Sequence, residues 1–179
     1  MEKPSSYCDF VNRLPDDSVH RIYHDTQYGF PIDSDDELFG RLILEINQAG
    51  LSWTTILNKQ ENFRKAFSNF NVKKIARYNE NDIARLLSDA GIIRNKLKIN
   101  AVIHNACKIM EIQQEYGSFK NWLDTRPDME VKEWVKLFRK NFKFTGGEIT
   151  KEFLMSTGYL PGAHVDSCPI YHEIKELNH

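Results

Sequence analysis

No run of apolar side chains in this chain of 179 residues exceeds three, as at Leu42 to Leu44, and the start, Met1 to Ser6, carries no apolar stretch. Nothing therefore approaches the roughly 20 residues a membrane helix needs, and the chain is read as cytoplasmic. Cysteine is scarce: Cys8, Cys107 and Cys168 are too few, and of odd number, for a disulfide framework, which leaves them as thiols or metal ligands. Charge of one sign is also lacking, with 24 Lys and Arg against 25 Asp and Glu and a net charge of -1. A uniformly basic surface that coats nucleic acid is excluded, and any such contact must be local. The length suits a single domain over 1–179, or at most two small lobes sharing a core.

Proline is missing from residues 32–126, where apolar residues recur at spacings of three and four. That is the pattern of packed helices. Ser34-Asp35-Asp36-Glu37 reads as a capping box opening a helix with Leu38, Phe39, Leu42, Ile43 and Ile46 on one face and Gly50 as its stop. A second helix follows from Ser52 with Trp53, Ile56, Leu57, Phe63 and Phe67 inside. Further helices are expected over 79–89, 94–116, 128–140 and 147–157, and no stretch sustains a period of two, so the fold class is all-α.

Three features carry chemistry. Cys8 and His24 near one end, with His164 and Cys168 near the other, are each a weak pair, but together they make the Cys₂His₂ set of a closed tetrahedral zinc site. All four positions would come from protein, so the metal would be structural. Glu45 falls about 20° from Leu38 at 100° per residue, on the apolar stripe, where a carboxylate is costly unless paired. A stripe-edge glutamate reaching solvent, or one capping a neighbouring helix, is the alternative. Four residues on, the turn Ala49-Gly50-Leu51-Ser52-Trp53 sets a leucine at a tip and an aromatic at the next helix start, and an aromatic wall beside a buried acceptor suits a flat, cationic or amino-bearing ring. Third, residues 132–143 hold Lys132, Lys136, Arg139, Lys140 and Lys143 against Glu133, a local charge of +4, just before Gly146-Gly147 opens a helix N-terminus suited to phosphate.

Tyr23-His24-Asp25-Thr26-Gln27-Tyr28-Gly29, Leu44 to Trp53, Asp89 to Asn95 and Asn141-Phe142-Lys143-Phe144-Thr145-Gly146 resemble the signature blocks of the DNA-3-methyladenine glycosylase I family, in the helix-hairpin-helix superfamily. The resemblance runs from Cys8 to Cys168. It implies a structural zinc on Cys8, His24, His164 and Cys168. Glu45, Tyr23 and Trp53 would line a base pocket, with Tyr28 and Phe10 as further aromatic contacts, and Leu51 would wedge into the duplex. Lys143, Phe144, Thr145, Gly146 and Gly147 would form the hairpin that grips backbone phosphates. The activity implied is excision of 3-methyladenine, an alkylated cationic purine, from double-stranded DNA by base flipping and N-glycosidic hydrolysis in base excision repair, with Glu45 as the catalytic residue and the protein a monomer.

Phe10 and Tyr28 stand where the family often has Trp, Ile46 replaces a smaller residue, and the segment 118–128 is short. Where glycosylases of the superfamily carry an aspartate this chain has Ala163, and where lyases carry lysine it has Glu148, which implies a monofunctional enzyme. The competing reading is a zinc-stabilised helical DNA-binding module that senses alkylation lesions without excising them. A zinc deaminase needs His-x-Glu and Pro-Cys-x-x-Cys segments, which do not occur.

Overall fold

The computed structural model describes residues 2–177, and Met1, Asn178 and His179 lie outside the described residues. Every regular element among the described residues is helical, as expected, and the chain divides into two compact units. One unit lies within Met1–Pro31 and Leu154–His179, and the other is Ile32–Phe153.

The first unit holds α1 (Tyr7–Asn12) and α2 (Val19–Thr26), capped by Ser6 and Ser18. In the second, α3 (Asp35–Gln48) starts where the sequence places it, with Ser34 Oγ accepting from the Glu37 amide at 3.3 Å. Its three first-turn acids suit the positive end of the helix dipole, and each also reaches another segment. Asp35 accepts from the Phe119 and Lys120 amides at 2.8 and 2.9 Å, Asp36 from the Val72 amide at 3.0 Å, and Glu37 takes both Arg64 guanidinium nitrogens at 2.6 and 2.9 Å. Every residue from Leu38 to Asn47 is buried, so α3 is the central rod of this unit.

The single helix expected after Ser52 is two, α4 (Trp53–Asn58) and α5 (Gln60–Ala66), because the backbone leaves helical geometry at Lys59 (φ -103°, ψ 2°). Phe63 and Phe67 are buried all the same. A 3₁₀ turn, Ser68–Phe70, leads to α6 (Val72–Ile75) and α7 (Glu80–Leu87), the latter with a complete Asn79–Asp82 capping box. The long α8 (Lys96–Tyr116) is capped by Asn95 and stopped at Gly117, and a helix absent from the sequence reading, α9 (Phe119–Asp124), follows on a Ser118 cap.

Helix α10 (Val131–Asn141) begins three residues later than expected, since Asp128 sits at φ +62° and Glu130 is still extended. Phe119, Trp122, Phe138, Phe142 and Phe153 pack ring on ring, at centroid spacings of 5.2–6.3 Å, beneath the turn that joins α10 to α11 (Gly147–Ser156). The first unit ends with α12 (Pro169–Leu177). No helix of the described residues is long and apolar enough to cross a membrane.

Candidate functional site

Glu45 lies on the last turns of α3 and is 4% exposed, so the solvent-edge alternative is overturned: the carboxyl is inside. Burial, followed by the nearby Glu152 carboxyl, pushes its pKa up to about 8, while Arg41 one turn earlier pulls the other way. At neutral pH the group is mostly a neutral acid, and an arriving cation would draw it into the carboxylate form.

Immediately beyond, the chain turns back on itself. The Leu51 amide donates to the Gln48 carbonyl at 2.8 Å, and the Gln48 side chain donates to the Leu51 carbonyl at 3.0 Å. Gly50 sits at φ +78° between them, the left-handed geometry this turn requires. Leu51 is thereby held out at 37% exposure, and Ser52 caps α4 so that Trp53, half-buried, opens it. The stripe carboxyl, the leucine tip and the aromatic are thus presented in the order the spacing implied.

The α10–α11 turn is pinned from below by Asn105. Its side chain accepts from the Lys143 amide at 2.7 Å and donates to the Lys143 carbonyl at 3.0 Å. Lys143 is exposed, Phe144 sits at φ +62° and is 38% exposed, and Thr145 is buried with its hydroxyl donating to the Phe142 carbonyl. Space is open over Gly146 and Gly147, where a Cβ would meet nothing within 4 Å.

In the first unit, Cys8, His24, His164 and Cys168 converge as the sequence implied, all buried, with one ligand atom from each within 4.8 Å of the others. The hydrogen bonds fix which nitrogens face inward. His164 Nε2 lies 2.6 Å from the Tyr28 carbonyl, which can only accept, so Nε2 carries the proton and Nδ1 turns a lone pair to the cluster. His24 Nδ1 donates to the Asp25 carboxylate at 2.6 Å, so Nε2 faces inward. Two imidazole lone pairs then oppose each other at 3.1 Å beside two sulfurs, an arrangement that repels itself unless a cation sits within it. The cluster can hold a metal ion. Gly29 makes the approach possible: at φ +82°, a Cβ there would come within 2.9 Å of Ala163 and 3.2 Å of His164.

Of the remaining residues singled out, Tyr23 and Tyr28 are buried, with the Tyr28 ring 5.5 Å from His164 and 5.6 Å from Tyr23, and the half-buried Phe10 ring lies 6.1 Å from Tyr7 and 5.2 Å from His20. Glu45 and Trp53 belong to the other unit. The sequence reading missed Lys98 and Asn105. Lys98, Val102, Asn105 and Ile109 share one face of α8, so a polar residue on an apolar stripe, the signal that singled out Glu45, was available for both.

Comparison with known proteins follows the same lines. Residues 14–136 match the family model described as methyladenine glycosylase. DNA-3-methyladenine glycosylase 1 of Escherichia coli (strain K12) is 33% identical over 183 residues, covering 92% of this chain and 96% of that protein. The DNA-3-methyladenine glycosylase of Haemophilus influenzae is 31% identical, over 85% and 92%. A Staphylococcus aureus 3-methyladenine DNA glycosylase I, solved to explain 3-methyladenine recognition, superposes with a TM-score of 0.80 at 30% identity, over 94% of this chain and 97% of that one.

Proposed function

Since the chain belongs to the methyladenine glycosylase family, we propose that it is a DNA glycosylase that excises 3-methyladenine from alkylated double-stranded DNA. The observation that carries this reading is the buried Glu45 carboxyl, on the helix whose next turn presents Leu51 and Trp53.

A purine methylated on its minor-groove ring nitrogen is cationic, and its glycosidic bond is weakened because the base departs neutral. The enzyme has little bond-breaking to assist. It has to take the nucleotide out of the stack and hold the base so that departure is favoured. Leu51 occupies the space the base vacates, Trp53 stacks on its face, and Glu45, drawn into the carboxylate form by the incoming charge, accepts hydrogen bonds from its edge. The C1′–N bond breaks with its electron pair going to the base, water adds at C1′ and gives up a proton to solvent. Tyr23, Tyr28 and Phe10 are proposed as further aromatic base contacts, as the family resemblance implies.

The metal is proposed to be zinc. Tetrahedral zinc with ligand bonds of about 2.0–2.1 Å to nitrogen and about 2.3 Å to sulfur sets N···N and N···S edges near 3.3 and 3.6 Å. The cluster has 3.1 Å between nitrogens and 3.7–3.8 Å between nitrogen and sulfur. Such a closed site supplies a cross-link between α1, α2 and the loop before α12, and no reacting water.

The hairpin grips phosphate through the exposed Lys143, the backbone at Gly146-Gly147 and the N-terminus of α11. Lys143→Ala is expected to weaken binding to every duplex alike and to lower the salt dependence by about one counterion. Titrating both proteins with undamaged duplex at several salt concentrations measures this. An unchanged affinity and slope would remove the hairpin from the interface.

With Glu148 where a lyase lysine would stand, that position offers no amine for a Schiff base, and the product is proposed to be an intact abasic strand. An end-labelled methylated duplex treated with the enzyme should be cut at adenines only after alkali. Cutting without alkali would show a lyase, and no cutting under either condition would favour the lesion-sensing module.

A further inference from the structure

Lys98 is in the first turn of α8, next to a helix N-terminus whose dipole disfavours a cation, and it is only 5% exposed. Its ammonium nevertheless has defined partners. Nζ donates to the Asn47 carbonyl at 2.9 Å and to the Ala49 carbonyl at 2.7 Å, both at the negative C-terminal end of α3. It also lies 6.0 Å from the centroid of the Phe144 ring. One buried charge thus touches the turn that presents Leu51 and the turn that joins α10 to α11. Two helical turns along the same face, Asn105 holds the Lys143 backbone at both its amide and its carbonyl. Helix α8 is therefore a ruler bonded to the leucine turn at one point and to the hairpin at another.

We propose that Lys98 is a positioning residue that fixes the Leu51 turn relative to the hairpin, so that gripping the phosphates drives Leu51 into the base stack. The inference rests on the reading of Leu51 and the hairpin as DNA contacts. Without the ammonium, the Asn47 and Ala49 carbonyls lose their donor and the turn, its internal Gln48–Leu51 bonds intact, is no longer tied to α8, while Lys143 still meets phosphate and Glu45 and Trp53 are held by their own helices, α3 and the Ser52-capped α4. The loss then falls on extruding the base rather than on holding DNA or the base.

The test uses an oligonucleotide with one adenine, methylated and placed opposite either thymine or an abasic site, where no base pair has to be broken to extrude the lesion. Lys98→Met, with Lys98→Gln as a second variant should the first fold poorly, is expected to release 3-methyladenine at least tenfold more slowly from the paired duplex. Release from the abasic-opposed duplex, affinity for undamaged duplex and binding of free 3-methyladenine should stay within about twofold of the unaltered protein, and Lys98→Arg should restore most of the paired rate. A wild-type rate in the paired duplex, or an equal loss on both substrates, would overturn the proposal. Failure of the unaltered protein to release base from either duplex would instead defeat the glycosylase reading on which it rests.

Discussion

Glu45→Gln is expected to lose about ten- to hundredfold in excision at pH 8 and above, the cost of one charge-assisted hydrogen bond of roughly 1.5–3 kcal/mol. Glutamine keeps the shape of the side chain and removes its charge. The loss depends on pH, because burial pushes the Glu45 pKa up to about 8 in the free protein. Since kcat/KM reports ionisations of the free enzyme, it should rise with pH toward 8 in the unaltered protein and lose that limb in Glu45→Gln. The two proteins therefore converge as the pH falls to 6.

Stability should move the opposite way. Unfolded, the Glu45 carboxyl ionises near its ordinary value of 4.5, whereas folded it holds its proton to about 8. Between those values the unfolded state has released the proton and the native state has not, so raising the pH favours unfolding by up to about 1.4 kcal/mol per pH unit. Glutamine carries no such liability. Glu45→Gln should melt like the unaltered protein below pH 4.5 and gain on it progressively up to about pH 8. Full activity with a lowered melting temperature would show that Glu45 caps the core and recognises nothing.

The second large effect concerns the metal. Purified without chelator, the protein is expected to hold about one zinc ion per chain, set by its four-ligand cluster. Structural zinc supplies apparent folding energies of about 10–16 kcal/mol in small zinc domains, and the cluster that would hold it here brings together His24 and His164, 140 residues apart in sequence. Losing a ligand leaves inward-facing sulfurs and an imidazole buried without their cation. His164→Ala should lower the melting temperature by about 10 °C or more, with activity lost in proportion to folded protein. Metal analysis and calorimetry on the same preparations check both statements. Unchanged melting with abolished turnover would point to a catalytic metal.

Much of this site was legible in the sequence, for physical reasons that differ from residue to residue. Glu45 stood out because a carboxylate on an apolar stripe is costly, and the closeness of Leu51 and Trp53 followed from covalent connectivity. The four residues of the buried cluster stood out by type, two cysteines and two histidines, and only the fold brings residues from both ends together. The wall of α3 was readable from its cap and period. Its acids were not: Asp35, Asp36 and Glu37 bond to Phe119, Val72 and Arg64, and nothing local encodes those partners. Lys98 and Asn105 stood on an apolar stripe, but their partners were hidden for the same reason, being main-chain groups 51, 49 and 38 residues away. The six-residue helices α1 and α9 have too few turns for a period to declare itself, and the break at Lys59 carries neither glycine nor proline.

Release of the base is what separates a glycosylase from a module that only finds the lesion. Methylated duplex DNA incubated with the purified protein and analysed by chromatography for free bases measures it. Free 3-methyladenine should accumulate in solution at a rate proportional to protein and slowed by Glu45→Gln. Selective binding to the methylated duplex with no base released would contradict it.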